Sequence, residues 1–174
     1  MYDIVALGEL LIDFTCQSTG PDGYPTMAAH PGGAPANFLA AAAKLGARTA
    51  LLGKVGADAF GALLTGTLQT AGIDTRGLVQ SPEVFTTLAF VTLDQRGERE
   101  FSFARKPGAD TQLRPKELDL ALLQEAKLLH FGSLSLTDEP ARSATQAAVA
   151  FAKSHGKLVS FDPNLRKPLW HSLE

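Results

Sequence analysis

The sequence has few of the features that mark several protein classes. Its single cysteine, Cys16, excludes an internal disulfide, and without a second thiol the chain has no cysteine pair for a metal site. The 16 basic and 18 acidic residues give a net charge of −2 and form no basic run, which argues against nucleic acid and anionic membranes as partners. No apolar run reaches the roughly 18 residues of a transmembrane helix.

We expect no targeting signal and no metal site either. The segment MYDIVALGELLIDF has no basic residues, and its acidic residues interrupt the apolar stretch, so it does not resemble a signal peptide and we expect a cytoplasmic protein. The histidines have no metal-ligand spacing; they are His30, His130, His155 and His171. The composition, 45% hydrophobic and 20% charged, is that of an ordinary globular domain.

Hydrophobic patterning predicts an alternation of strands and helices. Buried strands are predicted at YDIVALGEL, TALLGKVG, KLLHFGSL and KLVSFDPN. Helices are predicted from Pro35 to Gly46, from Asp58 to Gly72, over PKELDLALLQEA and over residues 138–156. This alternation implies an α/β fold, a mostly parallel sheet with helices on its faces.

A predicted β-hairpin interrupts the alternation once. TTLAFVTL and EREFSFAR flank DQRG, a tetrad typical of turns. Residues 18–33 are rich in glycine, proline, serine and threonine and are predicted to be loop or short edge strands. Together with the segment around residues 11–30, the hairpin would form a small separate β-layer.

Candidate site residues follow the predicted strands, where open α/β sheets bind ligands. Asp13 is expected just past the first strand, and Gly32, Gly33 and Asn37 fall at the start of the first helix. Bare glycines let a ligand approach backbone N–H groups, and an asparagine offers one donor and one acceptor to vicinal hydroxyls. The alternative is local, because the glycines also suit a tight turn, Asn37 a helix-start hydrogen bond and Asp13 a cap.

Two further groups of residues admit a functional and a local interpretation. In FDPNLR, Asp162 and Asn164 would face a metal or phosphate at a strand tip while Arg166 neutralises phosphate charge. Alternatively, the segment is an Asp-Pro-Asn turn with a solvated arginine. In the hairpin, Phe103 and Arg105 share one face by the two-residue period of a strand. Arg105 then either closes over a ligand or is an ordinary exposed arginine.

These segments together resemble the ribokinase/PfkB family of sugar kinases, and the fructokinase branch most. GELLIDF resembles the family's first strand with its sugar-binding aspartate, and GGAPANFLAAAAKLGARTALLGKVGADAFG resembles its long N-terminal signature. GEREFSFARKPGAD resembles the lid hairpin and the loop after it, and HFGSLSL and FDPNLRKPLW resemble fructokinase segments. The resemblance covers essentially the whole chain in the family's order.

The resemblance implies a ribokinase-like fold in which a sugar lies beneath a β-sheet lid, here residues about 11–30 and 86–105. A sugar hydroxyl would attack the γ-phosphate of Mg-ATP, so ATP and Mg²⁺ are the expected cofactors. The implied sugar-binding residues are Asp13, Gly32, Gly33, Asn37, Phe103 and Arg105. The implied phosphate-binding residues are Asp162, Asn164 and Arg166. A homodimer through the lid sheet is also expected.

The sequence departs from the family in one large respect. Family members are about twice as long, and their second half carries a DTxGAGD-like motif with an anion hole and the aspartate that takes the hydroxyl proton. The GAD of KPGADT belongs instead to the lid region. Residues 1–174 therefore correspond to the N-terminal part of a sugar kinase domain, truncated before the nucleotide-binding half. No catalytic base is predicted in them, and we expect the chain alone to be inactive.

Fructose is the first choice of substrate, from FSFAR and FDPNLR. Relatives acting on 2-keto-3-deoxygluconate often place a tyrosine beside the lid arginine, where this chain has Phe103 and Ala104. Ribose ranks lower. A different alternative is a non-catalytic sugar-binding or assembly fragment. An unrelated dinucleotide-binding domain would need a GxGxxG turn after the first strand, which GELLID does not supply.

Overall fold

The chain forms two β-sheets, one large and one small. The structure is a computed structural model that describes residues 1–93, 99–170 and 172. The strands of the large sheet are β1 (Tyr2–Leu7), β4 (Thr49–Gly56), β5 (Ile73–Asp74), β6 (Leu78–Ser81), β9 (Ala126–Gly132) and β10 (Leu158–Asp162). The strands of the small sheet are β2 (Leu11–Thr19), β3 (Pro25–Gly32), β7 (Leu88–Leu93) and β8 (Arg99–Ala104).

The large sheet is parallel and buried at its centre. Its order is β10-β9-β1-β4-β5, and β6 also pairs with β4. On β1, Val5 pairs with Ala50 on one side and with Leu129 on the other, and all three are fully buried. Such continuous apolar strands are typical of a parallel sheet covered on both faces. The predicted fold class is therefore confirmed.

Within the described residues, four α-helices cover the large sheet. They are α1 (Ala34–Lys44), α2 (Ala59–Thr70), α3 (Leu120–Gln124) and α4 (Ala141–Ser154). Because side chains alternate along a strand, Val5 and Leu7 face a core made with α3 and α4, while Ala6 faces a core made with α1 and α2. Short 3₁₀ turns occupy Ala109–Gln112, Pro115–Glu117, Ser133–Leu136 and Lys167–Leu169. No helix in the described ranges is long and apolar enough to span a bilayer.

The ends of the first two helices follow the sequence signals. Gly46 and Gly72 follow α1 and α2 with φ of 91° and 76°, the left-handed region that favours glycine. The Asp58 carboxylate accepts hydrogen bonds from the N–H groups of Phe60 and Gly61, both at 2.9 Å, and caps α2. The predicted boundaries of these helices are confirmed.

Three local predictions need correction. PKELDLALLQEA is a 3₁₀ turn followed by the short α3, because Asp119 caps a new helix at Leu122 N–H and Glu117 turns aside to an ion pair with Lys54 at 2.7 Å. Residues 18–33 were expected to be loop or short edge strands, and they contain the whole of β3, an edge strand of eight residues that is longer than expected. Asp13 lies within β2 of the small sheet, rather than just past the first strand.

The small sheet is made of two hairpins joined side by side. β2 and β3 pair antiparallel, β7 and β8 pair antiparallel, and β2 lies parallel to β7 with Ile12 opposite Leu88. The predicted strands on either side of DQRG are present, and the tetrad itself, residues 94–97, lies outside the described residues. Ile12 and Phe14 on one face join the core with α2, where the Phe14 and Phe60 rings are 5.6 Å apart. The opposite face is left for other contacts.

Candidate functional site

A row of side chains crosses the face of the small sheet that turns away from α2. Residues directly opposite each other in a sheet lie on the same face. His30 pairs with Asp13, Asp13 with Ala89, and Ala89 with Phe103, so these four side chains share one face. Asp13 and Phe103 stand two strands apart, roughly 10 Å. Ala89 between them carries only a methyl group and is fully buried.

Asp13 presents a carboxylate that no described residue binds. Its side chain is half-buried, and partial burial raises its pKa, while the charges of His30 and Arg166 oppose that rise. A Cβ atom added to Gly32 would lie 2.2 Å from Asp13 Oδ2, so any larger residue there would push the carboxylate out of its position. Asp13 therefore offers two acceptor oxygens beside Gly32, a residue with no side chain.

The glycine corner formed by Gly32 and Gly33 leads to Asn37. Gly33 has φ 116°, and a Cβ there would lie 2.4 Å from the carbonyl oxygen of Glu9. The Asn37 N–H continues the helix by donating to Gly33 O at 3.0 Å, but its exposed side chain makes no hydrogen bond to the described part of the chain. Gly32 and Asn37 both line a small, mainly apolar groove between α1 and α2, and Asp13 is not among its lining residues. Neither the Asp13 nor the Asn37 side chain is used locally, in contrast to the local alternative.

Arg166 lies close to Asp13 rather than at the carboxyl end of β10. Its guanidinium carbon is 5.9 Å from the centre of the Phe101 ring, and its charge acts on Asp13. Asp162 and Asn164 form a turn in which Asn164 N–H donates to Asp162 Oδ1 at 3.0 Å, and Asn164 has a positive φ of 27°. The structure therefore brings Arg166 to the predicted sugar-binding residues and leaves Asp162 and Asn164 in a local turn.

A cavity of about 210 Å³ lies between β8 and the segment that follows Arg166. Its lining residues are Phe101, Phe103, Arg105, Lys106, Asp138, Pro168, Leu169 and Trp170. Trp170 Nε1 is buried and makes no hydrogen bond within the described ranges. Sequence reasoning assigned no role to Trp170, although it is the only tryptophan of the chain and ends the FDPNLRKPLW segment.

Arg105 lines this cavity but is held by the protein. The residue is 5% exposed, so it is not an ordinary exposed arginine. Its guanidinium pairs with Asp110 at 2.7 Å, and it donates to Thr137 Oγ1 and to the Leu134 carbonyl oxygen, both at 2.9 Å. Its predicted contact with sugar therefore requires a ligand that reaches a guanidinium already bound on several sides.

Carboxylates fix both arms of the β7–β8 hairpin at its base. Asp110 accepts a short hydrogen bond from the Thr87 hydroxyl before β7 while pairing with Arg105 after β8. Asp58, besides capping α2, accepts from the N–H of Thr86 at 2.8 Å. No sequence pattern indicated the role of Asp110, because its contacts with Arg105 and Thr87 form only in the folded chain and match no motif.

Comparison with known proteins identifies the family. The model for pfkB family carbohydrate kinases matches residues 1–174, and the chain belongs to this family. The ribokinase-like fold and the membership of the PfkB carbohydrate kinase family, both inferred from resemblance, are confirmed.

Its relatives include plant and bacterial fructokinases. Probable fructokinase-3 of Arabidopsis thaliana is 50% identical over 173 residues, covering 98% of this chain and 50% of that protein. Fructokinase-2 of Solanum habrochaites is 49% identical over 173 residues, covering 98% and 53%. The crystal structure of fructokinase from Xylella fastidiosa has a TM-score of 0.93 at 37% identity, covering 100% of this chain and 54% of that one. Another structure of that enzyme, with bound ATP, has a TM-score of 0.91, 37% identity and coverages of 100% and 52%. The chain spans about half the length of these relatives.

Proposed function

We propose that this chain carries the sugar-binding part of an ATP-dependent fructokinase. The observation that carries the proposal is the presence of two polar side chains without hydrogen-bond partners in the described ranges, Asp13 and Asn37, one on each side of the Gly32-Gly33 segment along the chain. Gly32 lies directly beside the Asp13 carboxylate, where an added Cβ would be 2.2 Å from Oδ2, and Asn37 is exposed in the first turn of α1. The fructokinase names of its relatives favour fructose among the possible sugars.

In this proposal the sugar binds through its hydroxyl groups. Asp13 accepts hydrogen bonds from two neighbouring hydroxyls, and Asn37 donates to one and accepts from another. Gly32 and Gly33 let the sugar lie against backbone. Phe103 adds an apolar ring with no hydroxyl of its own, which favours a neutral sugar over 2-keto-3-deoxygluconate. The small sheet acts as the lid and excludes water that would compete with the sugar for the phosphoryl group.

ATP would supply the γ-phosphoryl group, and two features of this chain suit the phosphate end. Within the described ranges the Arg166 guanidinium makes one hydrogen bond, a long 3.5 Å contact to Leu165 O, and lies over the Phe101 ring, so other N–H groups stay available to phosphate oxygens. Asp162 uses Oδ1 in its turn, while Oδ2 makes no hydrogen bond in the described ranges and suits a hard cation such as Mg²⁺. We assign no catalytic base to this chain, and we expect no phosphorylation by it alone.

The oligomeric state and the cellular location proposed for the protein follow from the same family resemblance. β3 is an edge of the small sheet, so a second copy can pair there, and we propose a homodimer through this sheet. We propose a cytoplasmic location.

Thermal unfolding with candidate sugars tests the function. Fructose at a hundred times its Kd stabilises the folded chain by about 2.7 kcal/mol and raises Tm, whereas ribose and 2-keto-3-deoxygluconate at the same concentration raise it less. Asp13→Asn should abolish the fructose shift. Asp22→Asn, in the β2–β3 turn of the same sheet, should keep it. Equal shifts for Asp13→Asn and the unchanged chain, or no shift with fructose, would refute the proposal.

A further inference from the structure

Glu9, in the turn between β1 and β2, is a buried carboxylate that the proposed sugar contacts do not use. The residue is 3% exposed. Its Oε1 accepts a hydrogen bond from Ala34 N–H at 3.0 Å, and its Oε2 is buried with no hydrogen bond to the described residues. A buried carboxyl with one oxygen unpartnered is unfavourable. Its place in the fold suggests what the group does there.

Glu9 holds the entry to α1 with its backbone and its side chain together. The Glu9 carbonyl oxygen lies where a Cβ of Gly33 would be, and the carboxylate binds the N–H of Ala34, the first residue of the helix. Asn37 lies one turn further along the same helix. Any shift of Glu9 therefore displaces the glycine corner and Asn37.

Glu9 also lies within reach of charges at the base of the β7–β8 hairpin. The negative charge of Asp110 raises its pKa and the positive charge of Arg105 lowers it, and Arg105 and Asp110 form the buried pair that fixes the hairpin. The third charge near the carboxylate is the positive end of the α1 dipole. Glu9 thus lies between two parts of the molecule. One is the glycine pair Gly32-Gly33 beside the proposed sugar site, and the other is the Arg105–Asp110 pair that supports the small sheet.

We propose that Glu9 is a positioning residue that keeps the start of α1, and with it Asn37, in register with the base of the small sheet. The effect of Glu9 on sugar binding depends on the proposed function, whereas its effect on the start of α1 does not. Burial is the main reason that the pKa of Glu9 rises to about 7. Above that pH the ionised carboxylate is buried with too few hydrogen bonds from backbone N–H groups to offset the loss of water, so the helix entry opens more often as pH rises.

Hydrogen exchange on the sugar-free chain tests the positioning role directly. Protection of residues 33–39 is measured at pH 6 and pH 8, corrected for intrinsic exchange rates, in the unchanged chain and in Glu9→Gln. The glutamine keeps an oxygen for Ala34 N–H but does not ionise. The unchanged chain should lose about fivefold in protection between the two pH values, a coupling of roughly 1 kcal/mol, and Glu9→Gln should lose none. Helix α2 is the internal reference, and Glu125→Gln, an exposed glutamate, is the matched control.

Two results would overturn the proposal. One is equal pH dependence in the unchanged chain and Glu9→Gln. The other is a loss of protection in residues 33–39 no larger than that in α2 in the unchanged chain, a comparison that decides even if the variant fails to fold. As a second readout, the fructose Kd should rise from pH 6 to pH 8 only when Glu9 is present. Absence of fructose binding at both pH values would refute the proposed function and leave the exchange test to decide on Glu9.

Discussion

Single residues determine the backbone conformation beside the proposed sugar site, and among them Gly33 tolerates substitution least. Its φ of 116° is a conformation that residues with a Cβ rarely adopt, and the added carbon would lie 2.4 Å from Glu9 O. The backbone on both sides is fixed by β3 and α1, so little relaxation is available.

We predict that Gly33→Ala lowers the free energy of unfolding by about 2–4 kcal/mol, because backbone strain of roughly 1–3 kcal/mol adds to the contact with Glu9 O. Gly66→Ala is the matched control, since Gly66 lies within α2 and an added Cβ there meets nothing within 4 Å. This control should stabilise the chain by up to about 1 kcal/mol. Urea unfolding of both variants gives the comparison, and similar effects of the two substitutions would contradict the prediction.

Glu9 gives a pH dependence whose sign is fixed by its raised pKa. The pKa is about 7 in the folded chain against a usual 4.5, so the folded state holds the proton more tightly and loses stability as pH rises from about 4.5 through 7. A difference of this size corresponds to about 3 kcal/mol. Glu9→Gln should therefore become more stable than the unchanged chain by up to this amount between pH 5 and pH 8, as followed by urea unfolding. A stability difference that stays constant with pH would show that Glu9 does not titrate there.

At the scale of elements, the β7–β8 hairpin is attached by buried polar contacts rather than by apolar packing alone. Asp110 holds Thr87 at one arm and Arg105 at the other, and both Arg105 and Asp110 are almost fully buried. Removing one partner of a buried ion pair leaves an uncompensated charge.

We predict that Asp110→Asn costs about 3–5 kcal/mol of stability and exposes the hairpin to limited proteolysis before the rest of the chain. Glu125→Gln removes a charge from an exposed ion pair at 3.5 Å and should change stability little. Protease cleavage mapped by mass spectrometry identifies the first site. Cleavage that begins elsewhere in Asp110→Asn would show that the hairpin does not depend on this carboxylate.

Elements with strong periodic or terminal signals were predictable from the sequence, and contacts between distant segments were not. The central strands are continuous apolar runs, and Asp58, Gly46 and Gly72 mark helix ends through purely local chemistry. PKELDLALLQEA was predicted as one helix because the pull of Lys54 on Glu117 is not visible in the sequence. The same reason explains why Arg105 was expected to be free to close over a ligand and why the approach of Arg166 to Asp13 was missed. Resemblance supplied the residues of the proposed sugar site, but their mutual arrangement required the fold.

At the scale of the whole molecule, the large sheet has an exposed edge at β10. Within the described ranges β10 pairs only with β9, and its apolar residues are poorly covered, with Leu158 68% and Phe161 49% exposed. An unpaired strand with exposed apolar side chains promotes association between chains.

We predict that the isolated chain self-associates at micromolar concentration and binds an apolar-surface dye. Leu158→Lys should weaken both effects, because a charge on an edge strand opposes pairing. Leu45→Lys is the matched control, since Leu45 is 89% exposed but lies at the end of α1, away from this edge. Sedimentation and dye fluorescence measure the outcome. A monodisperse monomer that binds no dye would rule out association through the β10 edge.

The parallel pairing of β2 with β7 also has a consequence for synthesis. Ile12 pairs with Leu88, which is synthesised only after the intervening chain that contains α1, β4 and α2. At ribosomal rates of roughly 5–20 residues per second, the partner of β2 emerges about 4 to 15 seconds later. During that interval the β2–β3 ribbon has one side open to other nascent chains. The β2 residues that later pair with β7 run from Ile12 to Thr15 and include the apolar Ile12 and Phe14, so this side of the ribbon is open to association until β7 is made.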